Sequence, residues 1–197
     1  MTDAKTDATG LAQRPQRADA RRNYDKLIAA ARDAFAQDGA SASLEDIARR
    51  AQVGIGTLYR HFPTRQALLE AVYVEEVEAL AGSAADLADL PPWDALVAWL
   101  RRFVGYAATK RALAEEMLAV IGQDSEVFST CRAAISEAGE PLLERAQDAG
   151  VVRADATFLD VSRMVGGIAV IRNADDEQIE RILDMALDGL RYRPPGA

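Results

Sequence analysis

Thr57, Tyr59, Arg60 and His61 fall within one five-residue stretch and supply a hydroxyl, a phenol, a guanidinium and an imidazole. Such groups donate hydrogen bonds to phosphate oxygens and to the edges of bases. The chain offers little material for other chemistry. Acid–base catalysis and metal binding need several converging groups, yet the 197 residues contain one histidine, His61, and one cysteine, Cys131. No catalytic residue, metal site or cofactor is therefore expected. Gly54-Ile55-Gly56 has Tyr59 where a dinucleotide fingerprint carries its third glycine, and it follows a helical pattern instead of a strand, so it is not read as a nucleotide loop. Cys131 reads as a small core residue and not as a redox switch.

Two short helices are expected to position the polar group. Ser43 followed by Asp46 has the form of a capping box, with a hydroxyl to accept an orphan backbone N–H and a carboxylate near the positive helix end. Leu44, Ile47, Ala48 and Ala51 then recur at helical spacing, and the small Ala48 and Ala51 allow a second helix to approach across a three- or four-residue turn. That second helix runs from about Gly54 to Phe62. Leu58 and Phe62, four residues apart, face inward with Val53; Ile55, Gly56, Thr57, Tyr59, Arg60 and His61 look outward. The pair reads as a helix-turn-helix, and its outward face suits a DNA groove.

The run Val53-Gly54-Ile55-Gly56-Thr57-Leu58-Tyr59-Arg60-His61-Phe62-Pro63-Thr64-Arg65, leading into Ala67-Leu68-Leu69-Glu70-Ala71-Val72, resembles the DNA-binding domain of the TetR family of bacterial transcriptional regulators. The resemblance covers residues 22 to 72; beyond them only length and helical pattern match. It implies that Tyr59, His61 and Arg65 clamp the DNA backbone and that Ile55 and Gly56 lie where side chains enter the major groove. Ile55 then offers apolar contact, for instance to a thymine methyl, and Gly56 allows close approach. Thr57 serves a phosphate or a base edge. Arg60 is chemically the most capable base reader, with a phosphate or solvent contact as its alternative. Ser43 and Thr64 stand at helix starts and read as caps that also touch phosphate. One departure is Gln52, which occupies a turn position where the family has glycine for a positive φ.

The net charge of −8 is unevenly spread. Residues 14 to 65 hold ten basic and six acidic side chains, a local +4, so the rest of the chain carries −12. A DNA-reading module joined to an acidic body has this asymmetry. At 49% hydrophobic content the chain can bury a sizeable core, and a single cysteine agrees with a reducing compartment. There is no run long enough for a membrane helix and no apolar signal core after Met1, so a cytoplasmic location is expected.

The expected fold is all-α. Residues 1–20 read as a disordered arm, in which Arg14 and Arg17, together with the following Arg21 and Arg22, either reach a minor groove or phosphates or merely solubilise the chain. Residues 21–66 form the helix-turn-helix module, whose first helix runs from about Arg22 to Asp38 and ends at Gly39. Residues 67–197 form a helical effector-binding and dimerisation domain. Thr64 caps a helix continuing past Leu80. Later helices are expected from Pro91-Pro92 to about Ala108, Arg111 to Gly122, Ser125 to Ala149 with Pro141 kinking or splitting it, Asp155 to Asn173, and Asp176 to Arg191.

The last two helices carry more apolar surface than a one-sided helix requires, and Gly166-Gly167 in mid-helix points to another helix crossing closely. The resemblance implies that they form a four-helix bundle with their mates in a twofold homodimer, matched to a palindromic operator in double-stranded DNA. It also implies a small, largely apolar effector held among Trp99, Phe103, Tyr106, Met117, Ile121, Phe128, Cys131, Ile135 and Met164, although most of these can equally be core. Glu115 and Glu116 can meet a cationic effector or solvent. The leading expectation is a ligand-responsive repressor. The competing one, an all-α small-molecule-binding protein or enzyme with a vestigial DNA module, conflicts with the helix cap, the outward polar face and the local positive charge.

Overall fold

The computed structural model describes Pro15, residues 17–121 and residues 126–191, with the side chains of residues 40 and 108–121 outside that description. The fold is all-α: among the described residues the only β-type pairing is an isolated antiparallel bridge between Val152 and Arg191. The helices are α1 (Ala18–Asp38), α2 (Leu44–Arg50), α3 (Ile55–His61), α4 (Arg65–Gly82), α5 (Pro92–Ile121), α6 (Glu126–Asp148), α7 (Phe158–Ala169) and α8 (Asp176–Leu190), with single 3-10 turns at Gly39–Ser41 and Ala85–Leu87. The residues divide into two compact units whose boundaries fall inside helices. One holds the described residues up to Glu76 and Thr109–Cys131; the other holds Val77–Ala108 and the described residues from Arg132 onward.

In the first unit α1 buries Tyr24, Leu27, Ile28, Ala31, Ala34 and Phe35 along one stripe. The helix starts at Ala18, inside the stretch expected to be an arm, because Asp19 sits favourably in its first turn and pairs with Arg22 one turn on. Arg14, in the same expected arm, lies outside the described residues. Gly39, at φ 52°, closes α1 by donating its N–H to the Phe35 carbonyl. Ser43 caps α2 by accepting the Asp46 N–H at 3.0 Å. The Asp46 carboxylate does not return to Ser43; it is taken by Arg49 and Arg50.

The α2–α3 turn is a Schellman motif. Val53 N–H donates to the Ala48 carbonyl at 3.0 Å and Gln52 N–H to that of Arg49 at 3.1 Å. Gln52 takes the left-handed position at φ 57°, as the sequence comparison with glycine anticipated. The same motif closes α6, with Gly150 at φ 68° in that position. A side chain in the left-handed region costs about 1–2 kcal/mol that glycine avoids, so the α2–α3 turn holds its shape against a modest strain.

The second unit departs from the expected boundaries in three places. Residues 92–121 form one helix instead of two, since Ala107-Ala108-Thr109-Lys110 contains nothing that breaks a helix; Gly122 and Ser125, expected as boundaries, lie outside the described residues. Helix α6 runs unbroken through Pro141, and the Glu137 carbonyl deprived of its partner lies on an exposed stretch where water can serve it. Helix α7 begins at Phe158, not Asp155, because Thr157 and Asp160 form a full capping box while Asp155 pairs with Arg153. It ends at Ala169, and Asn173 sits in the following turn at φ 61°.

Trp99 organises the core of this unit. It is fully buried, stacks within 3° of parallel on Phe103 at 5.9 Å, and lies 6.0 Å from the Phe158 ring. Its Nε1–H donates to the Leu80 carbonyl at 3.1 Å, satisfying an orphan acceptor in the last turn of α4. Phe158 approaches so closely that a β-carbon on Gly139 would stand 2.2 Å from its ring and 2.9 Å from Trp99. At the surface, Arg101 ties α5 to α8 through Glu180 at 3.1 Å and Asp184 at 2.6 Å.

Gly139→Ala should therefore destabilise the protein by about 1–3 kcal/mol, the usual cost of overpacking. Gly105→Ala, where a β-carbon meets nothing within 4 Å, should leave stability unchanged or raise it by up to about 1 kcal/mol. Thermal melts of both variants check this; equal melting temperatures would refute the close contact at Gly139.

Candidate nucleic-acid interface

The orientation of α3 follows from two buried side chains. Leu58 is 0% and Phe62 1% exposed, whereas Ile55 at 38% and Tyr59 at 46% stand in solvent. Gly56 and Arg60 are also exposed, and Thr57 and His61 are half-buried. Leu58 and Phe62 face inward and Ile55, Gly56, Tyr59 and Arg60 outward as expected from the sequence, whereas Thr57 and His61, expected outward, and Val53, expected inward, are each half-buried. Tyr24 of α1 supports the inner edge, lying 5.3 Å from the Phe62 ring and meeting His61 edge-on at 6.2 Å. Sequence reasoning did not single out Tyr24, although its three- and four-residue spacing to Leu27 and Ile28 puts it on the buried stripe.

Thr64 accepts the Ala67 N–H at 3.0 Å, so it and Ser43 both act as backbone caps at the starts of their helices. Arg65 is half-buried. It donates to the carbonyls of Ala42 and Gly39, and its guanidinium lies 5.0 Å over the Phe35 ring. It therefore braces the α1–α2 connection against the first turn of α4. Arg60 folds back on its own helix, donating from Nε to the Gly56 carbonyl at 3.1 Å and from Nη2 to Thr57 Oγ1 at 3.3 Å.

Several basic side chains of this region are paired with nearby carboxylates. Arg22 meets Asp19, Arg32 meets Glu76, and Arg49 and Arg50 share Asp46. Arg50 also reaches Gln37 and Asp38 at the end of α1, which fastens α2 to α1. The hydrogen bond from Arg49 holds the Asp46 carboxyl below the usual carboxylate range. Among the described residues no carboxylate binds Arg60, so its charge stays available on the outward face. Burial, and secondarily the Arg60 charge, push the His61 imidazole below its ordinary pKa, so it is neutral at pH 7.

The side chains expected around an effector divide between the units. Trp99, Phe103 and Tyr106 are brought together in the second unit, where the Phe103 and Tyr106 rings lie 5.8 Å apart. Ile135 is buried and Met164 half-buried in the same unit. Phe128 and Cys131 are buried in the first, where Phe128 meets Tyr73 edge-on at 5.4 Å. The side chains of Met117 and Ile121, like those of Glu115 and Glu116, lie outside the described residues.

On α7 and α8, Phe158, Val161, Val165, Ile168, Leu183, Leu187 and Leu190 are buried. Leu159 at 56% and Met185 at 67% remain exposed, with Val170 and Ile171 also at the surface. Among the described residues, nothing crosses closely at Gly166-Gly167, where a close crossing was expected. A β-carbon on Gly166 would find Phe103 at 4.0 Å, and one on Gly167 would find nothing within 4 Å. Among the described residues, no three His, Cys, Asp or Glu side chains are placed to hold a metal, and no helix is long and apolar enough to cross a membrane.

A capped helix, a tight turn and a second helix with a polar, partly cationic outer face define a helix-turn-helix DNA-binding regulator. Comparison with known proteins agrees over nearly the whole chain. The family model for bacterial regulatory proteins of the tetR family matches residues 27–72, and that for the C-terminal domain of SbtR-like transcriptional regulators matches residues 91–192. The crystal structure of the TetR transcriptional regulator SCO0520 from Streptomyces coelicolor is similar at 44% identity and a TM-score of 0.76, over 88% of this chain and 99% of that one. A TetR regulatory protein from Mycobacterium vanbaalenii is similar at 36% identity and a TM-score of 0.73, over 90% and 100%. The HTH-type transcriptional regulator UidR of Escherichia coli is 27% identical over 84% of this chain and 88% of its own length. The chain belongs to the TetR family and is a DNA-binding transcriptional regulator.

The lowered His61 pKa has a consequence for stability. Between that value and the ordinary one near 6.5, the unfolded chain binds more protons than the folded one, so stability declines as pH falls through this window. The Asp46, Asp155 and Asp160 carboxyls, held below their ordinary range by side-chain hydrogen bonds, stay charged there. Melting temperature should fall from pH 7 to pH 5, and His61→Gln should flatten the slope. An unchanged slope in the variant would place the titration elsewhere.

Proposed function

We propose that this regulator is a homodimeric cytoplasmic repressor, without enzymatic activity, that holds a palindromic operator until a small, largely apolar effector releases it. The observation that carries this reading is the rotational setting of α3, with Leu58 and Phe62 buried and Ile55, Tyr59 and Arg60 outward. Residues 21–66 then read DNA, and residues 67–197 bind effector and pair subunits. Ile55 and Gly56 enter the major groove, Arg60 and Thr57 approach base edges, and Tyr59 and His61 hold the backbone. Ser43 and Thr64 keep their caps and turn their outer surfaces to phosphate. Arg65 serves the same contact indirectly, by setting the first turn of α4 against α1.

Two features support the dimer and the switch. The exposed Leu159 and Met185, with Gly167 open to approach, suit a second copy of α7 and α8 packed in a four-helix bundle. The aromatic cluster of Trp99, Phe103 and Tyr106 suits an apolar effector, and Trp99 is hydrogen-bonded to the last turn of α4, whose first turn follows the reading helix. An effector that binds the DNA-free conformation better tilts α4 and lowers DNA affinity; coupling of about 1–3 kcal/mol is ordinary for such a link.

The test is a mobility-shift titration of the full-length protein on its own upstream DNA. Tyr59→Phe and His61→Ala should each weaken binding about fivefold to tenfold, equally on specific and unrelated DNA, since backbone contacts position without specifying. Unchanged affinity in both variants would reject the placement of α3.

The dimer is tested separately by light scattering. The parent protein should have twice the mass of one chain at micromolar concentration, and Gly167→Leu should shift it toward the monomer by separating the paired helices. A monomeric parent would reject the interface.

A further inference from the structure

Arg60 is held in a way that a freely solvated arginine is not. Side chains on a helix lean toward its N-terminus, and Arg60 follows that lean by a full turn, with Nε on the Gly56 carbonyl at 3.1 Å and Nη2 on Thr57 Oγ1 at 3.3 Å. The acceptor is the Gly56 carbonyl on an exposed face, and a β-carbon on Gly56 would meet nothing within 4 Å, so the fold-back of Arg60 needs no special room there. In a helix-turn-helix the leading residues of the second helix contact base edges. Arg60 starts one turn behind them and delivers its charge forward to their level.

The two bonds also decide which edge of the guanidinium faces outward. Of its five N–H donors, one on Nε and one on Nη2 are committed to the helix, leaving two on Nη1 and one on Nη2. These project as a two-pronged donor fork. In the major groove guanine alone presents two adjacent acceptors, O6 and N7, while adenine sets a donor beside its N7. We propose that Arg60 and Thr57 form a guanine-reading pair, in which the Nη1–Nη2 fork of Arg60 takes O6 and N7 of one guanine per half-site and Thr57 is the positioning residue that aims it. This rests on the DNA-reading function proposed above. Holding the guanidinium beforehand removes part of the ordering cost that a mobile arginine would meet on binding. A phosphate would also accept the fork, but it would confer no base preference, and this separates the two cases.

The experiment selects binding sites for the full-length protein from randomised duplex DNA and repeats the selection with variants. The parent should recover a two-fold symmetric site with one strongly preferred guanine per half-site, favoured over other bases by about tenfold to a hundredfold. Arg60→Lys keeps the charge but not the fork. It should lose the preference at that position alone, with affinity for unrelated DNA within about twofold of the parent. Thr57→Val should lower the same preference several-fold and Thr57→Ser should retain it, a pattern that a purely structural role for Thr57 would not produce. A parent site whose preferences are all unchanged in Arg60→Lys, or Thr57→Val indistinguishable from the parent, overturns this inference and leaves the regulator reading intact. A parent that selects no sequence overturns both.

Discussion

Burial of Leu58 and Phe62 is the constraint on which the reading surface depends. Helix α3 spans seven residues, too few to persist in water by its own hydrogen bonds, so packing must hold it. A buried leucine or phenylalanine contributes about 1.5–3 kcal/mol, and with two of them four residues apart the helix can settle in one rotational setting only. Rotating it by a single residue position, 100°, would carry both side chains toward water. Every outward group inherits its direction from that choice: Ile55 and Tyr59 stand clear, His61 leans on Tyr24, and Arg60 lies along the backbone toward Gly56.

The scaffold around α3 uses polar groups to the same end. Gln52 accepts a left-handed backbone so that two hydrogen bonds can close the turn, next to the buried Ala51. Arg50 and Arg65 are cations whose work is internal. One fastens α2 to the end of α1; the other fills the junction of α1, α2 and α4 with three simultaneous contacts to Gly39, Ala42 and Phe35. Internal pairing with Asp19, Asp38 and Asp46 is already counted in the net +4 of residues 14–65; what it decides is which cations face outward, and Arg60 is one that no carboxylate engages among the described residues.

The local pattern was legible in the sequence wherever contacts are short in chain distance. The setting of Leu58 and Phe62 on α3 and the caps at Ser43 and Thr64 follow from residues within a few positions of one another, and the positive φ at Gln52 from the glycine that the resembling family has there. Long-range choices were not legible. Nothing near Arg65 announces that carbonyls 23 and 26 residues earlier will claim it, and nothing near Gly139 announces Phe158. Helix ends failed where two caps competed, as when Thr157 with Asp160 displaced Asp155 at the start of α7. The aromatic side chains of the second unit illustrate a different limit. Apolar spacing identifies Trp99, Phe103 and Tyr106 as inward-facing, but a core and an effector pocket present the same spacing.

DNA reading therefore rests on a short, strongly oriented element that its neighbouring helices hold in place. The most direct measurement of that account is a crystal structure of the full-length protein on a DNA duplex obtained by selection. The account predicts two copies related by a twofold axis, with Ile55, Gly56 and Arg60 against base edges in successive major grooves roughly 34–36 Å apart and Leu58 and Phe62 still buried. A complex in which α3 lies outside the groove, or in which another surface of the chain contacts the bases, would contradict it.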